Sequence, residues 1–511
     1  MKKQVSNSLI SLEDSIVEER ENLRDFLIEA MNDDVLDYIR INSPPGIGKS
    51  YAAAELPKLF PEHKYIYIVP SHKVAESVKI ELKKHGIKNP EHVKGKKHHI
   101  IAQEFDPTTG EMYEVPVKLC NKRDGEEYYP GCSNCAHNIP KSCEWHRQFA
   151  RAERNNVVVT TLHNIDRLGE GRVLIYDESF DTQMMGTSRG FNADDHIELF
   201  ENEPVVLNKK VYTFYNRVKL KDDFEIVDEN TYMISNFFNT YTHIHAYDFN
   251  SLTLYGRRKP IHPELYEKII FACATTPNEL MYNITNTTPA LWNIYEPLHF
   301  TSNDLFNPML KFNTKKNTYW SKNYAENNIK YVFGFLRTWF SGKRLEVLVI
   351  TKLDFVKKIK KLLPHADYVN YGNGRAFNDY NQAYDVVIVY GNYGMTDLNF
   401  KMLDTLGFPE SIVRAMERSE KLQCIHRCRP ITHPETPFLL MTDHSLFPNI
   451  EQVTFRAFQD FTQKGYGPII EGMSLSQIEK RIRPDSLSKK VNRAKDMMFV
   501  RRFMNKIIFR L

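Results

Sequence analysis

The stretch that decides the fold of this chain is Ser43-Pro44-Pro45-Gly46-Ile47-Gly48-Lys49-Ser50. It follows residues 37–42, which have the apolar pattern of a short strand, and it precedes a helical run at residues 51–56. Gly46 and Gly48 allow backbone N–H groups to point inward at phosphate oxygens. The order of strand, glycine-containing loop and helix predicts a phosphate-binding loop.

Two side chains of this loop suit a nucleoside triphosphate and its metal ion. Lys49 is placed to reach the β and γ phosphates, and the Ser50 hydroxyl can ligate Mg²⁺ at the start of the helix. Ser43 replaces the first glycine of the usual pattern, but serine is small enough to leave the turn intact. We therefore predict that residues 43–50 bind ATP and Mg²⁺; a chance Gly-Lys-Ser loop is the alternative.

An acidic partner for the loop follows the apolar stretch at residues 172–176. Asp177 is expected to hold Mg²⁺ through water, and Glu178 to orient the attacking water as a general base. Alone, an apolar run that ends in Asp-Glu fits an ordinary strand equally well. Together with the phosphate loop it predicts ATP hydrolysis.

Composition limits the class of protein. A chain of 511 residues, 42% hydrophobic and 26% charged, is expected to form two to four domains. No stretch approaches the roughly 20 apolar residues of a membrane-spanning helix, and the start lacks the features of a signal peptide. We expect a cytoplasmic protein of a bacterial, archaeal or host cell, without a membrane partner. The net charge of +4 is too small to indicate a nucleic-acid partner by itself.

Four of the seven cysteines cluster in one short segment: Cys120, Cys132, Cys135 and Cys143. In a reducing cytosol such clustering favours a metal site over disulfides. Thiolates at this spacing suit zinc or an iron–sulfur cluster. Unbonded buried cysteines are the alternative.

Further segments occur in the order of helicase motifs, and with them the chain resembles superfamily 2 helicases of the XPD and DinG type. Residues 65–73 resemble motif Ia, 157–163 the Thr-Thr-His stretch, and 270–276 motif III, with Cys273 where serine is usual. In the second half, residues 344–351 resemble motif IV. The segment from 371 to 391 is similar to motif V, in which Arg375 and Asn378 are the polar side chains expected to contact nucleic acid.

Residues 423–430 resemble motif VI, which has the pattern Gln-x-x-Gly-Arg-x-x-Arg. Gln423 and Arg427 keep the separation of that pattern, whereas His426 replaces its glycine and Arg429 comes one residue early. The resemblance implies an arginine that reaches the γ-phosphate when two lobes close, and either Arg427 or Arg429 can be this residue. A solvated basic helix face is the alternative.

The resemblance implies an α/β fold with two RecA-like lobes that hold ATP between them. A four-cysteine insertion carrying a [4Fe-4S] cluster is expected in lobe one, with Zn²⁺ as the runner-up, and a helical, arch-like insertion between motifs II and III. The expected boundaries are 1–95 with 145–180 for lobe one, 96–144 for the metal insertion, 181–268 for the second insertion, 269–325 for the end of lobe one and the linker, 326–450 for lobe two and 451–511 for a basic helical tail.

Two segments suggest contacts with nucleic acid. In the second insertion, basic residues alternate with Tyr212, Phe214 and Tyr215, and such residues can bind a single strand; the basic residues are Lys209, Lys210, Lys219 and Lys221. A half-buried strand with one solvated face is an equally good interpretation. The tail after Gly467 holds eleven Lys or Arg against four Asp or Glu, which favours either a nucleic-acid-binding appendage or a solvated basic helix.

We interpret the chain as an ATP-hydrolysing DNA helicase with 5′-3′ polarity, a polarity that the resemblance alone implies. We expect it to act on single-stranded, forked or tailed DNA in replication, repair or recombination, with replication or repair proteins as partners. One alternative is an origin-binding or primase-associated helicase of a virus or plasmid. Another is an ATP-dependent nucleic-acid-binding switch that does not unwind.

Overall fold

The structure is a computed structural model. It describes residues 12–95, 99–105, 112–118, 143–177, 185–191, 197–207, 210–226, 229–248, 252–273, 275–297, 309–314, 320–371, 384–428, 433, 436–443, 446–447, 452–455 and 458–459. The chain divides into two compact units. The first comprises the described parts of 1–42, 48–296 and 395–416, and the second those of 43–47, 297–394 and 417–511.

The secondary structure alternates between strands and helices over much of the chain. The helices are α1 (Leu12–Asn32), α2 (Lys49–Leu59), α3 (His72–Lys84), α4 (Glu144–Arg154), α5 (Ile165–Leu168), α6 (Glu229–Thr240), α7 (Asn278–Thr285), α8 (Lys322–Phe340), α9 (Leu353–Lys360), α10 (Asp397–Thr405) and α11 (Glu410–His426). The strands are β1 (Tyr38–Ile41), β2 (Tyr65–Val69), β3 (Glu91–His92), β4 (His99–Phe105), β5 (Met112–Lys118), β6 (Val157–Thr161), β7 (Val173–Tyr176), β8 (Met185–Phe191), β9 (Ile197–Leu207), β10 (Lys210–Leu220), β11 (Tyr241–Asp248), β12 (Leu252–Arg258), β13 (Lys268–Phe271), β14 (Trp292–Tyr295), β15 (Met309–Asn313), β16 (Val347–Thr351), β17 (Asp367–Asn370), β18 (Val386–Tyr390), β19 (Phe438–Met441) and β20 (Gln452–Thr454).

The first unit is built on a parallel sheet of order β14-β1-β13-β7-β2-β6-β3. Strands β2 and β6 read Tyr-Ile-Tyr-Ile-Val and Val-Val-Val-Thr-Thr, and all their residues are buried. Continuous apolar runs of this kind are typical of parallel strands, because helices cover both faces of the sheet. All the carboxyl ends therefore lie along one edge, where ligands bind in open α/β sheets.

The second unit contains a parallel sheet of order β17-β16-β18-β19-β15-β20. Its central strands β16 and β18 are fully buried, and α8 contributes Val332, Phe333 and Leu336 to the core. The predicted α/β class with parallel sheets is confirmed. The sheet reaches from residue 309 to residue 454, so it includes strands on both sides of the expected range 326–450. Strand β20 pairs with β15 and lies within the segment predicted as a helical tail.

The segment predicted as a helical insertion, residues 181–268, has a different structure. Its described residues form an antiparallel sheet of order β8-β12-β11-β10-β9, with the single helix α6 between β10 and β11. The helical prediction is therefore wrong for these residues. The reason lies in the side-chain periodicity: Tyr212 and Phe214 pack against the same core, with the period of two that a strand requires.

Within the predicted metal insertion, β4 and β5 form an antiparallel hairpin with His99 opposite Lys118 and Phe105 opposite Met112. In the part of the chain that the structure describes, no helix has the length and hydropathy to cross a membrane.

Candidate nucleotide-binding site

The predicted phosphate loop connects β1 directly to α2. At its start, Asn42 N donates to Tyr295 O at 3.0 Å, which ties the end of β1 to β14. Gly46 has φ 97° and Gly48 has φ 110°, and Gly48 is the residue immediately before α2. These left-handed conformations are strained for any residue with a Cβ atom, so both positions require glycine. The local conformation is the one that turns backbone N–H groups toward a bound anion.

The side chain that follows the loop meets the predicted acidic partner. Ser50 Oγ donates a hydrogen bond to Asp177 Oδ1 at 2.6 Å. Strands β1 and β7 both pair with β13, so the residues that follow them lie one strand apart at the carboxyl edge. Asp177 is only 5% exposed, and its backbone N–H donates to Ile68 O at 3.1 Å. The acid is therefore held in place by the sheet itself.

A hydroxyl and a carboxylate oxygen at this separation form a donor set that suits Mg²⁺, which prefers oxygen ligands and takes only one or two carboxylates from the protein. Lys49, the first residue of α2, is 8% exposed and lies beside this pair in the chain. A buried ammonium is favourable only where polar or negative groups surround it. The residues present thus fit a magnesium-bound phosphate group.

Of the candidate residues 43–50, the structure brings Ser50 together with Asp177. Glu178 and Arg429 lie outside the described residues, as do Arg375 and Asn378. Gln423 belongs to α11 of the second unit and is buried, and Arg427 is the first residue after that helix. The roles predicted for these residues stay predictions.

Sequence reasoning missed a polar network at the carboxyl edge of the second sheet. Lys421 Nζ donates to Asp443 Oδ2 at 2.8 Å and to Asn392 Oδ1 at 3.1 Å, and the Lys421 side chain is buried. Asn392 follows β18 and Asp443 follows β19, so one lysine joins α11 to two strand ends. A signal was present, because Lys421 shares a helix face with the buried Cys424, three residues later.

Two further hydrogen bonds hold this edge. Thr351 Oγ1 donates to Tyr390 O at 2.9 Å, and Tyr371 Oη donates to Gly391 O at 3.2 Å. Burial raises the pKa of Tyr371 well above its usual value, so the phenol remains a donor at neutral pH. The strand ends β16, β17 and β18 are thereby connected to each other.

Of the four clustered cysteines, the structure describes Cys143, which precedes α4 and is buried beside Trp145. Cys120, Cys132 and Cys135 lie outside the described residues. Among the residues that are described, no group of three or more His, Cys, Asp or Glu side chains could hold a metal. The choice between a [4Fe-4S] cluster and zinc therefore stays a prediction.

Phe214, in the middle of β10, is not placed to stack on bases. Phe214 is 1% exposed and packs against Tyr247 and Tyr255, with ring centroids 5.9 and 6.2 Å away. Tyr212 contacts the Tyr247 ring at 6.0 Å. Lys210 and Lys219 are exposed, so the interpretation of β10 as a half-buried strand with one solvated face is confirmed.

The chain is similar to several solved structures at low sequence identity. The structure of S. tokodaii Xpd4 aligns over 88% of this chain and 98% of its own, with 10% identity and a TM-score of 0.46. A structure described as an XPD helicase aligns over 86% and 99%, with 10% identity and a TM-score of 0.48. S. cerevisiae Dbp5 bound to RNA and ADP BeF3 aligns over 88% and 96%, with 9% identity and a TM-score of 0.40. No protein-family model matches the sequence, and no curated protein is significantly similar to it.

Proposed function

We propose that this chain is an ATP-driven motor that translocates on or unwinds nucleic acid. The observation that carries the proposal is the hydrogen bond of 2.6 Å between Ser50 and Asp177 at the carboxyl edge of a parallel sheet. It joins the predicted magnesium ligands, which are separated by more than a hundred residues in the sequence. A second parallel sheet later in the chain and the ordered helicase-like segments support a motor over an isolated nucleotide-binding domain.

In the proposed reaction the phosphate loop after β1 and the acidic residues after β7 bind and activate ATP. The backbone of residues 43–48 encloses the phosphates, Lys49 neutralises their charge, and Ser50 and Asp177 hold the metal. Mg²⁺, when bound, neutralises the charge that develops on the phosphate oxygens. Glu178 follows Asp177 directly and is assigned to the attacking water, whose proton it accepts.

We assign to the segment that resembles motif VI an arginine that contacts the transferring phosphate. Arg427 is our first candidate, because it keeps the motif VI spacing from Gln423, and Arg429 is the second. Such an arginine stabilises the charge of the transferring phosphate and couples hydrolysis to movement.

The finer assignments rest on the sequence resemblance. We infer that the substrate is single-stranded DNA with forked or tailed duplexes, that movement runs 5′ to 3′, and that the protein acts in replication, repair or recombination. We assign a [4Fe-4S] cluster to Cys120, Cys132, Cys135 and Cys143. Anaerobically purified protein should then absorb broadly near ~400 nm. A colourless protein with one equivalent of zinc would show that the four cysteines bind zinc instead.

Strand displacement tests the proposal. The wild-type protein and Glu178→Gln are compared on 5′-tailed, 3′-tailed and blunt DNA and on tailed RNA, with ATP turnover measured in the same samples. We expect ATP-dependent displacement of 5′-tailed DNA by the wild-type protein and none by Glu178→Gln. Turnover stimulated by nucleic acid without displacement of any substrate would indicate a nucleotide-dependent switch and overturn the unwinding function.

A further inference from the structure

Arg40 is a charged residue in the interior of the first sheet. It lies in β1, aligned with Phe271 of β13 on one side and Ile294 of β14 on the other. The residue is 1% exposed, and its neighbours in the strand, Ile39 and Ile41, are fully buried. Three residues later the chain enters the phosphate loop.

The guanidinium group of Arg40 holds the loop that follows β13. Nη1 donates to the backbone carbonyl of Cys273, and Nη2 donates to the carbonyl of Thr276 at 2.9 Å. The planar fork of an arginine directs both N–H groups at once, so it fixes the position of the two carbonyls relative to each other. Residues 273–276 belong to the segment that resembles motif III.

Stability alone does not account for an arginine at this position. Removal of a guanidinium from water costs several kcal/mol, and replacement of buried charges by well-packed apolar residues is often neutral or stabilising. The cross-strand partners of Arg40, Phe271 and Ile294, are apolar, so the same face of the sheet accommodates apolar side chains. A role in coupling the phosphate loop to the loop that follows β13 explains the arginine better.

We propose that Arg40 is a positioning residue that transmits the nucleotide state of the phosphate loop to the loop at residues 273–276. This inference rests on the proposed function. Strand β1 is packed between two hydrogen-bonded neighbours, so a displacement of its carboxyl end moves the guanidinium with it. Because the carbonyls of Cys273 and Thr276 are bonded to the same group, both residues move with it. Coupling then runs through a contiguous set of bonded and packed groups.

Cys273 supplies a measurement that requires neither nucleic acid nor turnover. Its thiol is on the loop that Arg40 holds and is 2% exposed, so its rate of alkylation reports how often the loop opens. Iodoacetamide labelling of the peptide that contains Cys273 is followed by mass spectrometry, with and without AMP-PNP and Mg²⁺. In the wild-type protein we expect the nucleotide to slow labelling by about 5-fold, within the range of coupling between packed sites.

Arg40→Met should label faster than the wild-type protein, at a rate that AMP-PNP does not change. Arg172→Met is the matched control. Arg172 is also a buried arginine of the first unit, and it donates to the carbonyls of Ala152 and Asn155 at 2.7 and 2.9 Å, at the amino end of β7. Its removal costs a similar set of hydrogen bonds away from the phosphate loop, so labelling of Cys273 should keep its nucleotide dependence.

Arg40→Lys covers the case in which the methionine variant does not fold. It keeps the charge but loses the fork, so we expect protection by the nucleotide to fall below the wild-type level. Nucleotide affinity is measured in parallel with a fluorescent ATP analogue. If the wild-type protein binds nucleotide and Arg40→Met or Arg40→Lys retains full protection of Cys273, the coupling role is wrong and the proposed function stands. If the wild-type protein binds no nucleotide, the proposed function falls, and this inference falls with it.

Discussion

The carboxyl edges of the two parallel sheets use their polar residues in different ways. In the first unit, Ser50 and Asp177 share a hydrogen bond that a metal ion can replace, because both oxygens are potential ligands. In the second unit, Lys421 is buried against Asp443 and Asn392, and its charge is neutralised within the protein. One edge is therefore suited to exchange a ligand, whereas the other keeps a helix in place. The same topology supports both uses, since the difference lies in the side chains that follow the strands.

Removal of the ammonium at the first edge should have the largest effect. Lys49→Ala is expected to lower ATP turnover by at least ~10³-fold, because the charge of the phosphates is no longer neutralised. Steady-state phosphate release measures this. Lys58→Ala, an exposed lysine of the same helix, should behave as the wild-type protein.

Glu178→Gln separates binding from chemistry in the same assay. It should lose turnover as Lys49→Ala does, yet still bind ATP, because the amide keeps the shape of the side chain and loses only the base. Equal loss of ATP affinity in the two variants would contradict the assigned roles.

The second unit should contribute to catalysis without contributing much to binding. Arg427→Ala is expected to reduce turnover by ~10²–10³-fold while nucleotide affinity changes little, since the contact forms in the transition state. Arg418→Ala, exposed on α11, is the control. If Arg427→Ala turns over normally and Arg429→Ala does not, the arginine finger is Arg429.

Loss of the lysine at the second edge should affect stability. Lys421→Met leaves the partly exposed Asp443 without its buried partner, which is expected to destabilise the second unit by about 3 kcal/mol. Hydrogen exchange of α11 peptides under increasing urea measures the loss. Arg414→Ala removes an exposed ion pair of 3.3 Å with Glu410 on the same helix and should cost less than ~1 kcal/mol. A loss no greater than that of Arg414→Ala would show that the network does not anchor the helix.

The smallest expected effect is a dependence on pH in the first unit. His92 Nδ1 donates to Glu76 Oε1 at 2.8 Å, and burial lowers the pKa of His92 to about 4 although Glu76 opposes the shift. In the unfolded chain this histidine binds a proton near its ordinary pKa of 6.5, so stability is lost as pH falls from 6.5 toward 4. Burial raises the pKa of Glu76, but hydrogen bonds from His92 and Lys79 lower it to about 2. The stability that Glu76 contributes is therefore lost only below pH 4.5.

Urea unfolding of the wild-type protein and of His92→Gln at pH 7 and pH 4.5 measures how much His92 contributes to the pH dependence of the free energy of unfolding. We expect the wild-type protein to lose about 2 kcal/mol more than the variant on acidification. His245, whose pKa burial also lowers to about 4, contributes equally to both proteins and cancels. Identical pH dependence in the two proteins would exclude His92 as an acid-sensitive group.

The sequence by itself was sufficient for the local features of the nucleotide site. Gly46 and Gly48 predicted the conformations of the loop, because only glycine adopts them without strain. The continuous apolar runs of β2 and β18 are typical of parallel strands, because a strand covered on both faces is apolar throughout. In each case the determining interactions lie within about ten residues of chain.

Tertiary structure alone decided which distant groups meet. The residues of β9 to β12 form a sheet through pairings across the whole segment, so a prediction of helices from their position in a resembling family failed. Lys421 reaches Asp443 across 22 residues, and Arg40 reaches Cys273 across 233. Local periodicity indicates that such a side chain is buried, but its partner depends on strand order. Strand order is set by the packing of the whole sheet, and no short stretch of sequence contains that information.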